Sequence, residues 1–244
     1  MEVRLDGKKA IVTGAGKGIG RDLAKRLVEC GAETYAVSRT QSDLDTLKAE
    51  VPSINVVQVD LGDWDKTREV ISSIGAVDLL VNNAGVSKLA KFTEMKKEDL
   101  DWVMNINFNS LFNVSQIVTK GMIEKGIHGS IVNISSTASQ DALVEHCAYC
   151  PSKAAVDMLT KVMALEMGPH KIRVNSVNPT VVWTEMAKMA WSDPVKSEPM
   201  LAKIPLGRFV AIEEVVNTVI FILSDKSSMT NGQCIRIDGG MGVQ

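Results

Sequence analysis

The sequence has no strong charge bias and no long apolar run. Its formal net charge is -2, from 27 basic and 29 acidic residues, and no dense basic run interrupts that balance. A nucleic-acid-binding protein usually carries a basic footprint, which is absent here. No stretch approaches the ~20 apolar residues of a membrane-spanning helix. Residues 1–10 carry charges throughout, unlike a secretory signal. We therefore expect no nucleic-acid partner, no integral membrane segment and a cytosolic location.

Cysteine is scarce, with four residues at positions 30, 147, 150 and 234. So few cysteines in a chain of this length do not indicate a disulfide framework, and they suit a reducing compartment. Cys147 and Cys150 form a C-x-x-C pair, but no second ligand pair is spaced to complete a zinc site. We interpret them as small residues that pack in a helix, and we expect no metal.

Repeats, low-complexity tracts and Pro/Gly/Ser-rich linkers are also absent, so we treat residues 1–244 as one catalytic domain. Short apolar runs alternate with amphipathic stretches, a pattern typical of right-handed βαβ units. This predicts an α/β fold of the Rossmann type, with a doubly wound, seven-stranded parallel sheet. The predicted strands are Ala10–Thr13, Thr34–Ser38, Asn55–Val59, Val77–Val81, Ser130–Ser135, Arg173–Val177 and Cys234–Ile237.

Helical periodicity marks six stretches between these strands. Apolar residues at i, i+3 and i+4 identify the face that each helix buries. In the helix after Tyr149 that face comprises Val156, Leu159, Val162, Met163 and Met167. The segment 182–205 breaks the alternation and carries three prolines. A long insertion before the last helix is more often functional than idle.

A glycine-rich turn follows the first predicted strand. Glycines there let the backbone turn tightly and approach a pyrophosphate, and the next helix offers free N–H groups to that anion. The position between a first strand and a first helix makes this interpretation much stronger than an isolated glycine motif would. The candidate cofactor residues in the turn are Gly14, Gly16, Lys17, Gly18, Ile19 and Gly20.

The end of the second predicted strand indicates which nicotinamide cofactor binds. An acidic residue at this point would bind a ribose 2′-hydroxyl and favour NAD. Arg39 and Thr40 stand there instead, and Lys17 lies in the glycine turn. Two cations beside that ribose suit the 2′-phosphate of NADP. We therefore predict NADP(H).

Two further strand ends point to the same crevice. Asp60 and Leu61 follow the third strand, and Asp60 is placed to bond the adenine. The fourth strand ends in Asn83, Ala84 and Gly85, whose small side chains let the backbone lie close to a cofactor. We include all five among the cofactor-binding candidates.

Four polar residues form the candidate catalytic set. Tyr149 and Lys153 are spaced i and i+4 and share a helix face. A free tyrosine has a pKa near ~10, and a nearby ammonium lowers it, which suits Tyr149 as a proton donor to a carbonyl. Lys153 would also hold the nicotinamide ribose. Ser136 would hydrogen-bond the substrate oxygen, and Asn107 would orient a water that resupplies Lys153.

Together, T-G-x3-G-x-G, N-N-A-G, Asn107, Ser136, Y-x-x-x-K and the terminal Ile237–Gly240 resemble a short-chain dehydrogenase/reductase. The resemblance covers the whole chain. It implies a Rossmann domain, the catalytic roles given above and a homotetramer. One departure is Thr180, since a glycine commonly follows the proline at this position. Val182 and Thr184 follow as cofactor-binding candidates, and the resemblance implies that Thr184 reaches the nicotinamide carboxamide or the pyrophosphate.

Further segments, among them Ser38–Gln41 and Trp191–Pro194, resemble the NADPH-dependent members of this family that reduce ketoses and α-dicarbonyls. The resemblance implies reduction of L-xylulose to xylitol and of compounds such as diacetyl. Two alternatives remain open. One is a related reductase acting on 3-oxoacyl or steroid substrates, and the other is a non-catalytic NADP-binding scaffold.

The substrate pocket is predicted from positions near Tyr149 and in the inserted segment. Leu143 and His146 precede Tyr149 closely and should line the pocket. Trp191 and Met200 lie in the insertion and would form its lid. With Ser136 and Tyr149 they complete the substrate-binding candidates.

Overall fold

Seven short strands form one parallel sheet in the computed structural model, which describes residues 3–243 apart from the side chains of four residues between positions 186 and 196. The strands follow the order β3-β2-β1-β4-β5-β6-β7, and every neighbouring pair is parallel. They are β1 Lys9–Thr13, β2 Glu33–Ser38, β3 Asn55–Gln58, β4 Leu79–Asn82, β5 Ser130–Ile134, β6 Arg173–Pro179 and β7 Cys234–Ile237. This order confirms the predicted fold class.

The helices follow the strands in alternation. They are α1 Gly18–Glu29, α2 Gln41–Glu50, α3 Trp64–Ile74, α4 Lys97–Met104, α5 Ser110–Lys125, α6 Tyr149–Met167, α7 Glu185–Trp191, α8 Pro194–Leu201 and α9 Ile212–Leu223. Local signals set several of their ends. The Asp63 side chain accepts from the Lys66 N–H at the start of α3, and Gly126 ends α5 in the left-handed conformation that glycine adopts easily.

Two apolar layers cover the faces of the sheet. One contains Leu23 and Leu27 of α1 and Val215 and Val219 of α9. The other contains Val114 and Val118 of α5, with residues of α3 and α6. A parallel sheet must be covered on both faces, which explains the almost fully buried strands. No helix in residues 3–243 is long and apolar enough to cross a membrane.

From β1 the chain builds the sheet outward to one side, through β2 and β3, and then returns to add β4 on the other side of β1. The switch point of the strand order therefore lies between β1 and β4. Ligands of open α/β sheets bind in the crevice outside the carboxyl ends of the strands at such a point. The turns after β1, β4, β5 and β6 open at this edge. The sheet therefore brings together chain segments that are far apart in sequence.

The structure adds helices to the six predicted ones and exposes one residue that was predicted to be buried. The segment before Asn107 forms α4, and a π-helical stretch, Asn105–Asn109, joins α4 to α5. Val162, predicted to lie on the buried face of α6, is 42% exposed. Helix α6 is apolar on more than one side, as the 80% exposure of Leu165 shows, so periodicity could not separate the two faces. The inserted segment 182–205 contains α7 and α8.

We predict that Gly14→Ala destabilises the fold more than Gly126→Ala. Both glycines have positive φ, 64° and 63°, where an L side chain costs about 1–2 kcal/mol. A Cβ on Gly14 would also lie 2.8 Å from the Ala84 Cα, whereas a Cβ on Gly126 would meet nothing within 4 Å. We expect the clash to add about 1–3 kcal/mol to the loss at Gly14. Urea denaturation measures the free energy of unfolding of both variants. Equal losses would contradict the close approach of Gly14 to Ala84.

Candidate active site

Gly14, Gly16 and Gly20 in the turn after β1 are packed too tightly to carry a side chain. A Cβ on Gly16 would lie 2.7 Å from the Ser38 Oγ, and one on Gly20 would lie 2.4 Å from the Gly14 carbonyl oxygen. Gly18 also has positive φ, at 54°. The turn thus leads directly into α1, whose N-terminus has no side-chain cap and so leaves its N–H groups free for a phosphate.

Hydrogen bonds join this turn to the end of β4. The Thr13 hydroxyl accepts from the Asn83 and Ala84 N–H groups at 2.9 and 3.2 Å. The Asn83 amide donates to the carbonyls of Thr13 and Gly14 at 3.0 and 3.1 Å. Asn83 therefore holds the two turns against each other, and Ala84 supplies the small residue that the contact needs.

Exposed cations lie on the rim of the turn. The Lys17 Nζ is 3.4 Å from the Asp43 Oδ1, and the Arg39 side chain lies at the exposed end of β2. Thr40 is the N-cap position of α2 and is exposed. Arg39 thus offers positive charge at the edge of the crevice next to β2, and the exposed Lys17 ammonium shares its charge with Asp43.

The other cofactor candidates have different surroundings. Asp60 is exposed, and its carboxylate accepts from the Gly62 N–H at 2.9 Å, which shapes the turn after β3. The Leu61 side chain is buried in the core, and Ile19 packs against the opposite apolar layer. Leu61 and Ile19 would therefore meet a ligand mainly through their backbones.

The segment after β6 covers the glycine turn. A Cβ on Gly18 would lie 3.6 Å from the Thr184 Cγ2. The Thr184 side chain also caps α7 by accepting from the Ala187 N–H. Val182 is buried and pairs with Val210 in an isolated bridge. The Thr184 side chain therefore lies beside the glycine turn, and Val182 lies two residues before it.

Tyr149 opens α6, and Lys153 lies one turn later on the same side. The Lys153 Nζ is 5.7 Å from the centre of the Tyr149 ring and donates to the Ile134 carbonyl at 2.9 Å. Pro151 lies in the first turn of α6, where its missing N–H costs nothing. The predicted i, i+4 pair is therefore brought together.

Burial dominates the ionisation of this pair. It raises the pKa of the Tyr149 phenol, and a hydrogen bond with Ser136 opposes that rise. This is the reverse of the direction expected from the neighbouring ammonium. Burial lowers the pKa of Lys153 to about 8, against the opposing charge of Asp157. At neutral pH the phenol thus keeps its proton, the form that a proton donor requires.

Ser136 lies just after β5, within reach of Tyr149. Its hydroxyl accepts from the Ala138 N–H at 3.1 Å and caps a short 3₁₀ turn, Thr137–Ser139. The Ser136 hydroxyl is close enough to the Tyr149 phenol to lower its pKa against the effect of burial. A carbonyl oxygen placed between them would meet both hydroxyls.

Asn107 is buried in the π-helical stretch. Its amide donates to the Val86 carbonyl and the Ser152 hydroxyl, both at 2.9 Å, and accepts from the Val86 N–H at 2.8 Å. Ser152 in turn donates to the Tyr149 carbonyl at 2.7 Å. Both amide hydrogens are thus engaged, and only oxygen atoms of Asn107 are left to bind a water. π-bulges are common at functional sites.

Gly85 links the two halves of the site. A Cβ there would lie 3.4 Å from the Lys153 Nζ and 3.5 Å from the Asn107 Oδ1. The turn after β4 therefore reaches from the glycine turn of β1 to the catalytic candidates. A dinucleotide that crosses this turn would pass beside Lys153.

One predicted pocket residue, His146, contacts Tyr149, and a second, Leu143, lies in the same turn as His146. The His146 ring lies 6.0 Å from the Tyr149 ring, edge to face, and its Nδ1 contacts the Val144 carbonyl. The Leu143 carbonyl accepts from the His146 N–H, so both residues belong to one turn. Glu145 in that turn has a φ of 65°, an uncommon conformation for a residue other than glycine.

The two tryptophans of the inserted segment pack on one phenylalanine. The Trp191 ring packs on Phe209 at 5.8 Å, and Phe209 stacks on Trp183 at 5.4 Å. Met200 is half-buried in α8. Within the part of the chain that is described, the ring contacts of Trp191 are made with this aromatic cluster and not with Tyr149.

Sequence reasoning did not identify several residues that shape the site. Ser152 joins Asn107 to Tyr149, and Phe209 holds Trp191. Asp157 is 7% exposed although it is an acid in the middle of α6. An acid on the same face as Tyr149 and Lys153 was the available signal, because it continues the i, i+4 spacing of that pair.

A parallel sheet with a glycine-rich first turn at its switch point defines a dinucleotide-binding fold. The family described as Enoyl-(Acyl carrier protein) reductase matches residues 14–242. The chain belongs to the short-chain dehydrogenase/reductase family.

Three similar proteins illustrate this. The chain is 55% identical over 240 residues to the L-xylulose reductase of Bos taurus, covering 98% of each chain. It is 49% identical over 240 residues to the carbonyl reductase [NADPH] 2 of Sus scrofa, again covering 98% of each. A gluconate 5-dehydrogenase from Burkholderia cenocepacia, solved with NADP and tartrate, superposes with a TM-score of 0.94 at 33% identity, covering 100% of this chain and 98% of that one.

Proposed function

We propose that this chain is an NADPH-dependent reductase that converts L-xylulose to xylitol and also reduces α-dicarbonyls such as diacetyl. The observation that carries the proposal is the cluster of Tyr149, Lys153, Ser136 and Asn107 beside Gly85. High identity along nearly the whole length to a reductase of L-xylulose supports the substrate class.

The described residues fit a dinucleotide. Three glycines of the β1 turn, Gly14, Gly16 and Gly20, leave no room for a Cβ, and the α1 N-terminus behind them suits the pyrophosphate. Arg39 and Lys17 suit a 2′-phosphate, and Thr184 lies over Gly18. NADPH, when bound, supplies the hydride that reaches the carbonyl carbon.

The chain's own residues would handle the oxygen and its proton. Tyr149 gives its phenolic proton to the carbonyl oxygen as negative charge develops there. Ser136 donates a hydrogen bond to the same oxygen. The Lys153 ammonium stabilises the phenolate that remains, and a water held by Asn107 returns a proton through Lys153. His146, whose ring lies against that of Tyr149, and Leu143 in the same turn would contact the rest of a small substrate.

The assembly we propose is a homotetramer in the cytosol. Helices α5 and α6 carry exposed apolar residues, among them Phe112, Met158 and Leu165, which a second copy would cover. All four cysteines are free, which suits a reducing compartment. Sedimentation velocity tests the tetramer, and a monomer at micromolar concentration would contradict it.

We predict NADPH oxidation with L-xylulose and with diacetyl, and none with an acetoacetyl thioester. Tyr149→Phe should lower kcat by about 10²-fold or more, because it removes the proton donor while leaving NADPH binding intact. Tyr35→Phe is the matched control, since Tyr35 bonds Glu33 outside the site. Binding of NADPH without turnover of any carbonyl would favour the scaffold alternative, and turnover of the thioester alone would favour the 3-oxoacyl one.

We also predict that Arg39→Asp reverses the cofactor preference. The substitution removes a cation for the 2′-phosphate and places an acceptor for a 2′-hydroxyl there, so kcat/KM with NADPH should fall about 10²-fold relative to NADH. Lys96→Asp makes the same charge change at an exposed helix N-cap, where aspartate is well tolerated, and should leave the ratio unchanged. An unaltered ratio in Arg39→Asp would remove Arg39 from cofactor selection.

A further inference from the structure

A buried carboxylate lies behind the catalytic candidates and is used by none of the steps above. Asp157 lies on α6, one turn after Lys153, and is 7% exposed. Its Oδ2 accepts from the Ser139 hydroxyl at 2.6 Å and from the Asn178 amide at 2.7 Å, and its Oδ1 accepts from the Ser176 hydroxyl at 3.0 Å. A buried charge needs such partners, and here they are all neutral.

These bonds connect three segments that each carry part of the site. Ser139 ends the 3₁₀ turn that begins at Ser136, and its N–H donates to the Ser136 carbonyl at 3.0 Å. Asn178 also donates to the Ser136 carbonyl, at 3.1 Å, from the end of β6. Asp157 itself belongs to the helix of Tyr149 and Lys153. One carboxylate therefore ties the Ser136 turn and β6 to α6.

Asp157 also provides a negative charge close to the buried Lys153 ammonium. Lys153 is buried, and its hydrogen bond to the Ile134 carbonyl is to a neutral acceptor. Asp157 is the charged group that raises the pKa of Lys153 against burial. Lys161 on α6 and Cys234 on β7 are further titratable groups beside Asp157, and burial raises the pKa of the Cys234 thiol, which keeps it neutral.

We propose that Asp157 is a positioning residue that anchors the Ser136 turn to α6 and whose negative charge keeps the buried Lys153 an ammonium. This inference rests on the proposed reductase function for its kinetic consequence. Its structural and electrostatic parts concern Asp157, Ser139 and Lys153 alone. A purely structural role would predict lower stability with no change in the titration of Lys153.

The test compares Asp157→Asn, Asp157→Glu and Ser139→Ala in the full-length chain. Without the negative charge the pKa of Lys153 falls, so the ammonium is lost at lower pH. The alkaline limb of the kcat/KM profile for NADPH-dependent L-xylulose reduction should move down by about one pH unit in Asp157→Asn. Asp157→Glu keeps the charge and should restore the limb. Glu166→Gln, an exposed acid on the same helix, is the matched control and should leave the limb in place.

The titration of Lys153 is also measured without substrate. In protein labelled with ¹³C-lysine, the Lys153 Cε signal, assigned with Lys153→Arg, should titrate at lower pH in Asp157→Asn. An unmoved titration in the folded variant overturns the electrostatic part whether or not any carbonyl is reduced. A moved titration in a protein that reduces no carbonyl supports the inference and contradicts the proposed function.

Ser139→Ala tests the anchor by itself. It removes the hydroxyl that joins the Ser136 turn to Asp157 and leaves the charge, so kcat/KM should fall roughly tenfold or more through misplacement of Ser136, with the limb unmoved. Wild-type kcat/KM in Ser139→Ala overturns the anchor. Should Asp157→Asn fail to fold, the ¹³C titration of the wild-type protein decides. If Lys153 is uncharged there at neutral pH, the proposal that Asp157 keeps it an ammonium is wrong.

Discussion

The buried ammonium of Lys153 is the constraint on which the rest of the site depends. Removing such a group from water costs several kcal/mol unless the protein replaces its hydration shell. Here the Ile134 carbonyl accepts one hydrogen, and Asp157 lies one turn away on α6. Because α6 starts at Tyr149, the same helix turn that buries Lys153 also sets the position of the phenol.

The parallel sheet explains why two distant parts of the sequence form one site. Because the seven strands are parallel, the turns that follow them lie at the same edge of the sheet. The glycine turn after β1 therefore meets the turn after β4, and Thr13 and Asn83 join them by hydrogen bonds. Gly85 continues that turn to within contact distance of Lys153. The backbone of the turn after β4 therefore connects the proposed cofactor path to the catalytic candidates. The side chains of Thr13 and Asn83 hold this turn against the glycine turn.

The fold was more predictable than the surroundings of the site. Short β-branched runs and helical periodicity located all seven strands, because burial on both sheet faces imposes that pattern. The side of α6 that faces the core was less predictable, since Val162 and Leu165 are apolar and yet exposed. Trp191 stays a predicted lid residue, and its ring packs on Phe209, a partner that no local pattern indicates. The pKa of Tyr149 also depends on burial, which spacing does not reveal.

The sequence by itself determined the alternation of strands and helices, the glycine turn and the spacing of Tyr149 and Lys153. These features are local, and backbone geometry and side-chain periodicity decide them within a few residues. Only the tertiary structure decided that Asp157 lies among Ser139, Ser176 and Asn178, and that both amide hydrogens of Asn107 are engaged. Such contacts join segments distant along the chain, and they form only when the sheet brings its strand ends together.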